Sequence, residues 1–264
     1  MTRKIPRGRF VWYELLTSDM NAAQRFYTQL IGWDTASWRE GDEPYMLWMN
    51  AQQRIGGLMK LPEEAKASGT PPHWLGYVST PDIDATVTLA TRIGARVLMP
   101  ATDVPEVGRI AIFADPQGAV IGAYQPLEPP ADDEHAPSIG EVSWRELITT
   151  DHFAAFTFYE ALFGWRRTEL MDMGDSGLYQ MYGRNGATLG GMYNRPKGAS
   201  DPVTWLYYIH IRDVAAGVKK VEELGGVVLN GPMEVPGGSH IAQCLDPQGA
   251  AFALHSHDVG QSRV

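Results

Sequence analysis

Cysteine is nearly missing from this 264-residue chain: Cys244 stands alone, so no internal disulfide can form. That fits a reducing compartment, and the expected location is the cytoplasm. Long apolar runs are missing as well. No stretch approaches the roughly 18 residues of a membrane-crossing helix, which argues against a membrane partner. The basic start, Met1-Thr-Arg-Lys-Ile-Pro-Arg-Gly-Arg9, has no apolar run behind it and does not read as a secretory signal. Positive charge is in deficit, with 22 Lys and Arg against 31 Asp and Glu. The resulting net charge of −9 would repel a phosphate backbone, so nucleic acid is not an expected partner. The Gly-x-x-x-x-Gly-Lys phosphate loop and the Gly-x-Ser-x-Gly nucleophile elbow are both missing. Cys244 has no base beside it in sequence and reads as a small buried residue.

What is present is an internal repeat. Val11-Trp-Tyr-Glu-Leu-Leu-Thr-Ser-Asp19 returns as Ser143-Trp-Arg-Glu-Leu-Ile-Thr-Thr-Asp151. Phe26-Tyr27 and Gly32-Trp33 return as Phe158-Tyr159 and Gly164-Trp165, and Trp74 returns as Trp205. Ile55-Gly-Gly-Leu-Met59 resembles Leu189-Gly-Gly-Met-Tyr193, and Asp115-Pro-Gln-Gly-Ala119 recurs unchanged at Asp246 to Ala250. Ordered matches at a near-constant offset mean that one folding unit is duplicated. The expected domains are 1–127 and 140–258. Between them lies 128–139, a Pro- and charge-rich stretch that reads as an exposed linker, and 259–264 reads as a loose tail.

Each copy shows the same element order. A strand holding Trp12 ends at Thr17-Ser18-Asp19, where Ser18 or Asp19 can cap a helix over Ala22 to Ile31 that Gly32 stops. Three short strands follow, around 33–38, 45–50 and 54–60, with the apolar alternation of a half-buried sheet. The order then restarts: strand His73 to Ser79, helix Asp84 to Ile93, and strands near 96–99, 109–115 and 120–125. The predicted fold class is α+β: a tandem duplicated domain, each copy made of two βαβββ modules curling into a cup-shaped mixed sheet.

With four such modules in hand, the chain resembles the vicinal oxygen chelate superfamily, which includes glyoxalase I, extradiol dioxygenases, and bleomycin- and fosfomycin-resistance proteins. The motifs behind the resemblance are Thr-Ser-Asp before Phe-Tyr and Gly-Trp, the Pro81-Asp82-Ile83-Asp84 helix start, and Asp-Pro-Gln-Gly before the last strand. The resemblance implies metal ligands on the first, fourth, fifth and eighth strands of each copy. Those positions fall here on Trp12, glycines of 55–60, Leu75 and Gly122, and on Trp144, glycines of 189–194, Leu206 and Ala253. None of these side chains is a ligand for a divalent ion. The expectation is therefore no metal and no cofactor.

Alternation along a strand then names what lines each cup. Trp12 brings Glu14 with it, and Trp144 brings Glu146. Leu75 brings Tyr77 and Ser79, and Leu206 brings Tyr208 and His210. Gly122 brings Tyr124, and Ala253 brings His255. The small residues Gly56, Gly57, Gly122 and Ala253 are read as room for a ligand. Candidate ligand-binding residues are Trp12, Tyr77, Tyr124, Trp144, Tyr208, His240 and His255, and candidate proton-transfer residues are Glu146, His210 and Glu14. A bland reading stands beside this one: the tryptophans supply core, and the glutamates are paired or solvated. His73, His135 and His152 read as loop, linker and solvated helix-start residues. An irregular metal set of Glu146, His210 and His255 is the remaining alternative.

Two functions follow. One is a metal-free binder of a small aromatic or apolar metabolite or drug, akin to bleomycin-resistance proteins. The other is a metal-independent lyase, isomerase or hydroxylase-type enzyme that uses a cup Glu or His. A small-molecule ligand is the expected partner, with a pseudo-dimer inside one chain and a homodimer as a further option.

Overall fold

A computed structural model describes residues 4–39, 41, 44–132, 134–196, 198 and 202–257; the expected tail, 259–264, lies outside the described residues. The first copy opens with strand β1 (Phe10–Thr17), helix α1 (Met20–Ile31) and strands β2 (Asp34–Arg39), β3 (Tyr45–Asn50) and β4 (Gln53–Lys60). A short helix, α2 (Glu63–Ala67), precedes β5 (His73–Ser79), α3 (Ile83–Arg92), β6 (Arg96–Val104), β7 (Gly108–Ala114) and β8 (Val120–Pro126). The second copy follows with β9 (Val142–Thr149), α4 (His152–Phe163), β10 (Arg166–Asp172), β11 (Leu178–Arg184) and β12 (Ala187–Asn194). It closes with β13 (Thr204–His210), α5 (Val214–Glu223), β14 (Val227–Val235), β15 (Ser239–Leu245) and β16 (Ala251–Ser256). The α+β fold class is as expected, four βαβββ modules in tandem.

Local chemistry sets the helix ends. Asp19, Asp82, Asp151 and Asp213 each cap a helix, their side-chain oxygens accepting from N–H groups of the first turn. Gly32 and Gly164 end α1 and α4 in the left-handed region, at φ 89° and 74°, where a Cβ would be strained.

Among the described residues, sixteen strands form two eight-stranded sheets, ordered β2-β3-β4-β1-β5-β8-β7-β6 and β10-β11-β12-β9-β13-β16-β15-β14. Each sheet is mixed. β4 and β12 run parallel to the first strand of their copy, setting Glu14 opposite Gly57 and Glu146 opposite Gly191. β6 runs five residues past its expected end at Met99. Pro100 interrupts the pattern, but register shifts around it and a position at the sheet edge accommodate a residue with no N–H to donate.

The chain divides into two compact units, each drawing on both copies. The first gathers Met1–Trp12, Leu75–His135 and Trp144–Trp205. In it α3 packs near α4, and Tyr159 of α4 donates its phenol hydrogen to Asp115 Oδ2 at 2.9 Å. Trp205 Nε1 donates to the same phenol oxygen at 3.1 Å. Asp115 Oδ1 takes the backbone N–H groups of Gln117, Gly118 and Ala119, fixing the Asp-Pro-Gln-Gly turn. Trp165 Nε1 donates to the carbonyl of Gly8 at 2.7 Å, and Phe10 stacks on Trp165. The linker is held here. Arg184, only 7% exposed at its side chain, pairs with Asp132 and with Glu134, whose side chain is 16% exposed. The expectation of a simply exposed linker is corrected: a buried guanidinium needs partners, and two linker carboxylates supply them.

The second unit gathers Tyr13–Trp74, Ala136–Ser143 and Leu206–Val264. It repeats the same bonds with the copies exchanged. Tyr27 of α1 donates to Asp246 Oδ2 at 3.2 Å, Trp74 Nε1 donates to Tyr27 at 2.9 Å, and Trp33 Nε1 donates to the carbonyl of Gly140 at 2.9 Å. Asp246 Oδ1 takes the N–H groups of Gln248 and Ala250. The recurring Phe-Tyr, Gly-Trp, fifth-strand Trp and Asp-Pro-Gln-Gly motifs are therefore parts of one buried assembly per unit.

Candidate functional site

In the second unit, Glu14 is buried at 8% exposure on β1, and Tyr45 donates its phenol hydrogen to Glu14 Oε1 at 2.7 Å. The phenol lies over Gly57, where a Cβ would overlap its oxygen. In the first unit, Glu146 on β9 is 7% exposed, and Tyr179 donates to Glu146 Oε2 at 2.9 Å. Trp144 Nε1 donates to the same Tyr179 oxygen at 2.8 Å, so an indole, a phenol and a carboxylate form one directed chain. Tyr179 stacks on Tyr193 at 5.9 Å and lies over Gly191, where a Cβ would overlap its ring.

Glycine at these positions is a packing requirement, and the ligand-room reading is corrected. Tyr45 and Tyr179 fill the volume over Gly57 and Gly191, and the ring of Tyr77 fills it over Gly122. The bare face of a glycine lets an aromatic ring from the next strand lie against the backbone. Gly56 serves closeness of another kind, its Cα facing the carbonyl of Tyr13.

The remaining candidates separate by unit. Trp12, half-buried, and Tyr77, buried, lie in the first unit with Tyr124. Tyr124 donates to the carbonyl of Val107 at 3.0 Å, and burial raises its phenol above the usual range. Tyr208, His210, His240 and His255 lie in the second unit. Tyr208 is opposite Ala253, which is opposite Gln243; Gln243 Nε2 donates to the Tyr208 oxygen at 3.1 Å. His210 is opposite His255, which is opposite Ile241. His240 pairs instead with Ser256, so alternation turns it to the other face of the sheet from His255. The structure thus brings Trp144 to Glu146 through Tyr179, and His210 to His255.

His255 and His210 ring centroids are 5.6 Å apart, and His257 closes a triangle at 4.7 and 5.2 Å. Burial lowers the His255 pKa to about 4, with further lowering from His257 and His210. Among the described residues, no group of three or more His, Cys, Asp or Glu side chains is placed to hold a metal ion.

Two other histidines differ from expectation. His152 is 3% exposed rather than solvated. Asn194 Oδ1 accepts from its backbone N–H at 2.7 Å and lies 3.1 Å from its Nδ1, and its ring packs on Phe153. α4 is apolar on most of its surface, so even its first residue is drawn inward. His73 is the first residue of β5 rather than a loop residue, and burial lowers its pKa. His135 is exposed, and Cys244 is fully buried with its thiol pushed up to about 12 by desolvation.

Sequence reasoning missed the tyrosine partners of both glutamates. A signal existed: Tyr45 and Tyr179 recur at the same 134-residue spacing as Gly56 and Gly190. It also missed His257, which follows His255 on the same face.

Residues 9–122 and 139–254 each match the family model described as Glyoxalase/Bleomycin resistance protein/Dioxygenase superfamily. The chain belongs to this superfamily. CFP32 of Mycobacterium bovis, a protein carrying a glyoxylase name, is 30% identical over 92% of both chains. Anthracycline biosynthesis protein DnrV of Streptomyces peucetius is 31% identical over 96% of this chain and 94% of that one. Among solved structures, homoprotocatechuate 2,3-dioxygenase of B. fuscum matches at TM-score 0.68 and 15% identity, covering all of this chain and 76% of that one. The Mn(II)-bound glyoxalase of Novosphingobium aromaticivorans matches at 0.63 and 15%, covering 96% and 82%. At such identities these two superfamily structures share the fold alone. No helix among the described residues is long and apolar enough to cross a membrane.

Proposed function

We propose that this protein binds a small, flat aromatic metabolite without a divalent ion, using the aromatic sheet face around Glu146. The observation that carries the reading is the Trp144–Tyr179–Glu146 chain lying over Gly191. The divalent ion that the superfamily resemblance implies does not fit these side chains. The four positions expected to ligate it carry Trp144, glycine, Leu206 and Ala253 in one copy, and Trp12, glycine, Leu75 and Gly122 in the other. Where a fourth-strand ligand would project, a tyrosine from the neighbouring strand already occupies the space. The face instead offers Trp144, Tyr179 and Tyr193 as stacking surface and Glu146 as a polar anchor, a composition suited to a ring system with one or two donors. The Streptomyces relative named for anthracycline biosynthesis points the same way, since an anthracycline is built on a polycyclic aromatic core.

A second reading is favoured by the same hydrogen bond. A phenol bonded to a buried carboxylate can pass a proton, so Glu146, and Glu14 with Tyr45, could serve a metal-independent lyase, isomerase or hydroxylase-type reaction.

Titration of the purified chain with polycyclic aromatic quinones, followed by tryptophan fluorescence, tests the reading. Saturable quenching that weakens about tenfold in Tyr179→Ala supports it. Absence of saturation, or a transition metal retained at one equivalent, overturns it. Turnover of a bound quinone that falls in Glu146→Gln would select the enzyme reading.

A further inference from the structure

The four strands that end the second unit hold two bare acceptor nitrogens. His210 Nδ1 lies 3.0 Å from the carbonyl oxygen of Pro137. A carbonyl only accepts, so this Nδ1 carries the hydrogen. Ser143 Oγ lies 3.2 Å from the carbonyl oxygen of Tyr208, which also only accepts, so the one hydroxyl hydrogen of Ser143 points there. With that hydrogen on the Tyr208 carbonyl, His255 Nδ1, 2.8 Å from the same Oγ, is assigned as the donor. An imidazole in its neutral form has one N–H, and with that hydrogen on Nδ1 the lone pair is on Nε2. Neither Nε2 meets a hydrogen-bond partner among the described residues.

The matched positions of the first copy act as a control. In the same register stand Ser79, Tyr124 and Ile110. Ser79 donates to the carbonyl of Pro6, as His210 does to Pro137, and Tyr124 donates to Val107. Both hydroxyls spend their hydrogen inside the fold, and neither position holds an imidazole. Replacing serine by His210 keeps the structural bond and adds an unused acceptor, and replacing tyrosine by His255 does the same.

We propose that His210 and His255 form a two-imidazole site in which each Nε2 accepts one hydrogen bond from a hydroxyl group of a phenolic or enolic ligand. Two lone pairs disfavour a carboxylate or phosphate, which would bring more lone pairs and no hydrogen. They favour an acidic hydroxyl, whose hydrogen bond is stronger than that of an aliphatic alcohol. Ile241, opposite His255, and Tyr208, two residues before His210 on the same face, supply apolar and aromatic surface for the attached ring. The low proton affinity of His255 keeps the acceptor available at neutral pH. The site lies in the second unit and stands independently of the Glu146 face, which lies in the first.

Two measurements on the full chain test it. ¹⁵N NMR of the imidazoles at pH 7 is expected to show Nδ1–H tautomers for His210 and His255; an Nε2–H tautomer at either overturns the site. 2-Naphthol is expected to bind about tenfold more tightly than 2-methylnaphthalene, which has the same ring and no hydroxyl. His255→Phe, with its fold checked by circular dichroism, is expected to erase that preference. Equal binding of the two probes, or a preference that survives in His255→Phe, overturns the inference while leaving aromatic binding intact. Binding of neither probe overturns it as well.

Discussion

Tyr27 donates its phenol hydrogen to Asp246, 219 residues further along the chain. Burial raises both groups, the tyrosine well above its usual range, so each stays protonated longer than it would in water. The tyrosine belongs to the first copy and the aspartate to the second. Tyr159 and Asp115 make the same bond with the copies reversed. The most recognisable motifs of the repeat thus find their partners in the other copy.

Asp246 does two jobs, accepting the turn N–H groups through Oδ1 and Tyr27 through Oδ2. Asp246→Ala leaves buried donors unpaired and is expected to cost about 3 kcal/mol in urea denaturation. Asp246→Asn keeps an oxygen for the turn and resembles the protonated acid that burial favours, so a loss of about 1 kcal/mol or less is expected. Tyr27→Phe removes the acceptor of Trp74 Nε1 and should fall between them. Equal losses for the alanine and asparagine variants would show that the turn bonds contribute little.

Gly191→Ala places a methyl group against the Tyr179 ring. About 1–3 kcal/mol of stability should be lost, as for other overpacked sites. The Tyr179–Glu146 bond should break, and quinone quenching should weaken with it. Tyr179→Phe removes the hydroxyl and keeps the ring, so it should lose only about 1 kcal/mol. A thermal melt of both variants checks the order; a Gly191→Ala protein as stable as wild type would mean that the ring moves aside without loss.

His255 links stability to pH. In the unfolded chain its imidazole takes a proton near pH 6.5, but in the folded chain only near about 4. Between those values the unfolded state binds more protons, so stability falls as pH drops through that window and its loss levels off below about 4. His255→Tyr, which installs the residue of the matched first-copy position, should show a smaller fall between pH 7 and 4.5. Urea midpoints at the two pH values measure the difference, and parallel curves for the two proteins would remove His255 from the account.

Much of the fold was legible because local chemistry dictates it. β5 follows the apolar and aromatic run of 74–79, and its first residue is His73, which in isolation reads as a loop residue. Of the two expected capping residues, Ser18 and Asp19, it is Asp19 that caps α1, and Gly32 is a stop whose backbone is left-handed. α2 escaped because five residues carry no periodicity. The site was less legible because its decisive contacts are lateral. The recurrence of Tyr45 as Tyr179 marks the pair, but spacing alone does not say that Tyr45 leans onto Glu14, or that an adjacent ring fills the space over a glycine. The face of His240 depends on which residue it pairs with, and Ser256 became its partner only once β15 and β16 were in register. His152 reads as a solvated helix-start residue, but α4 buries residues around most of its circumference and draws this one inward as well.

The exchange of partners between copies has a historical consequence. A single-copy ancestor would carry Phe-Tyr and Asp-Pro-Gln-Gly with no mate for either in its own chain, and two identical molecules would satisfy both at once. Fusion of two such genes turns an encounter that depends on concentration into one guaranteed by a peptide linker. After fusion, selection no longer requires the two halves to stay alike, provided each keeps what the other must hold. That freedom accommodates His210 and His255 in one copy and Ser79 and Tyr124 at the matched positions of the other.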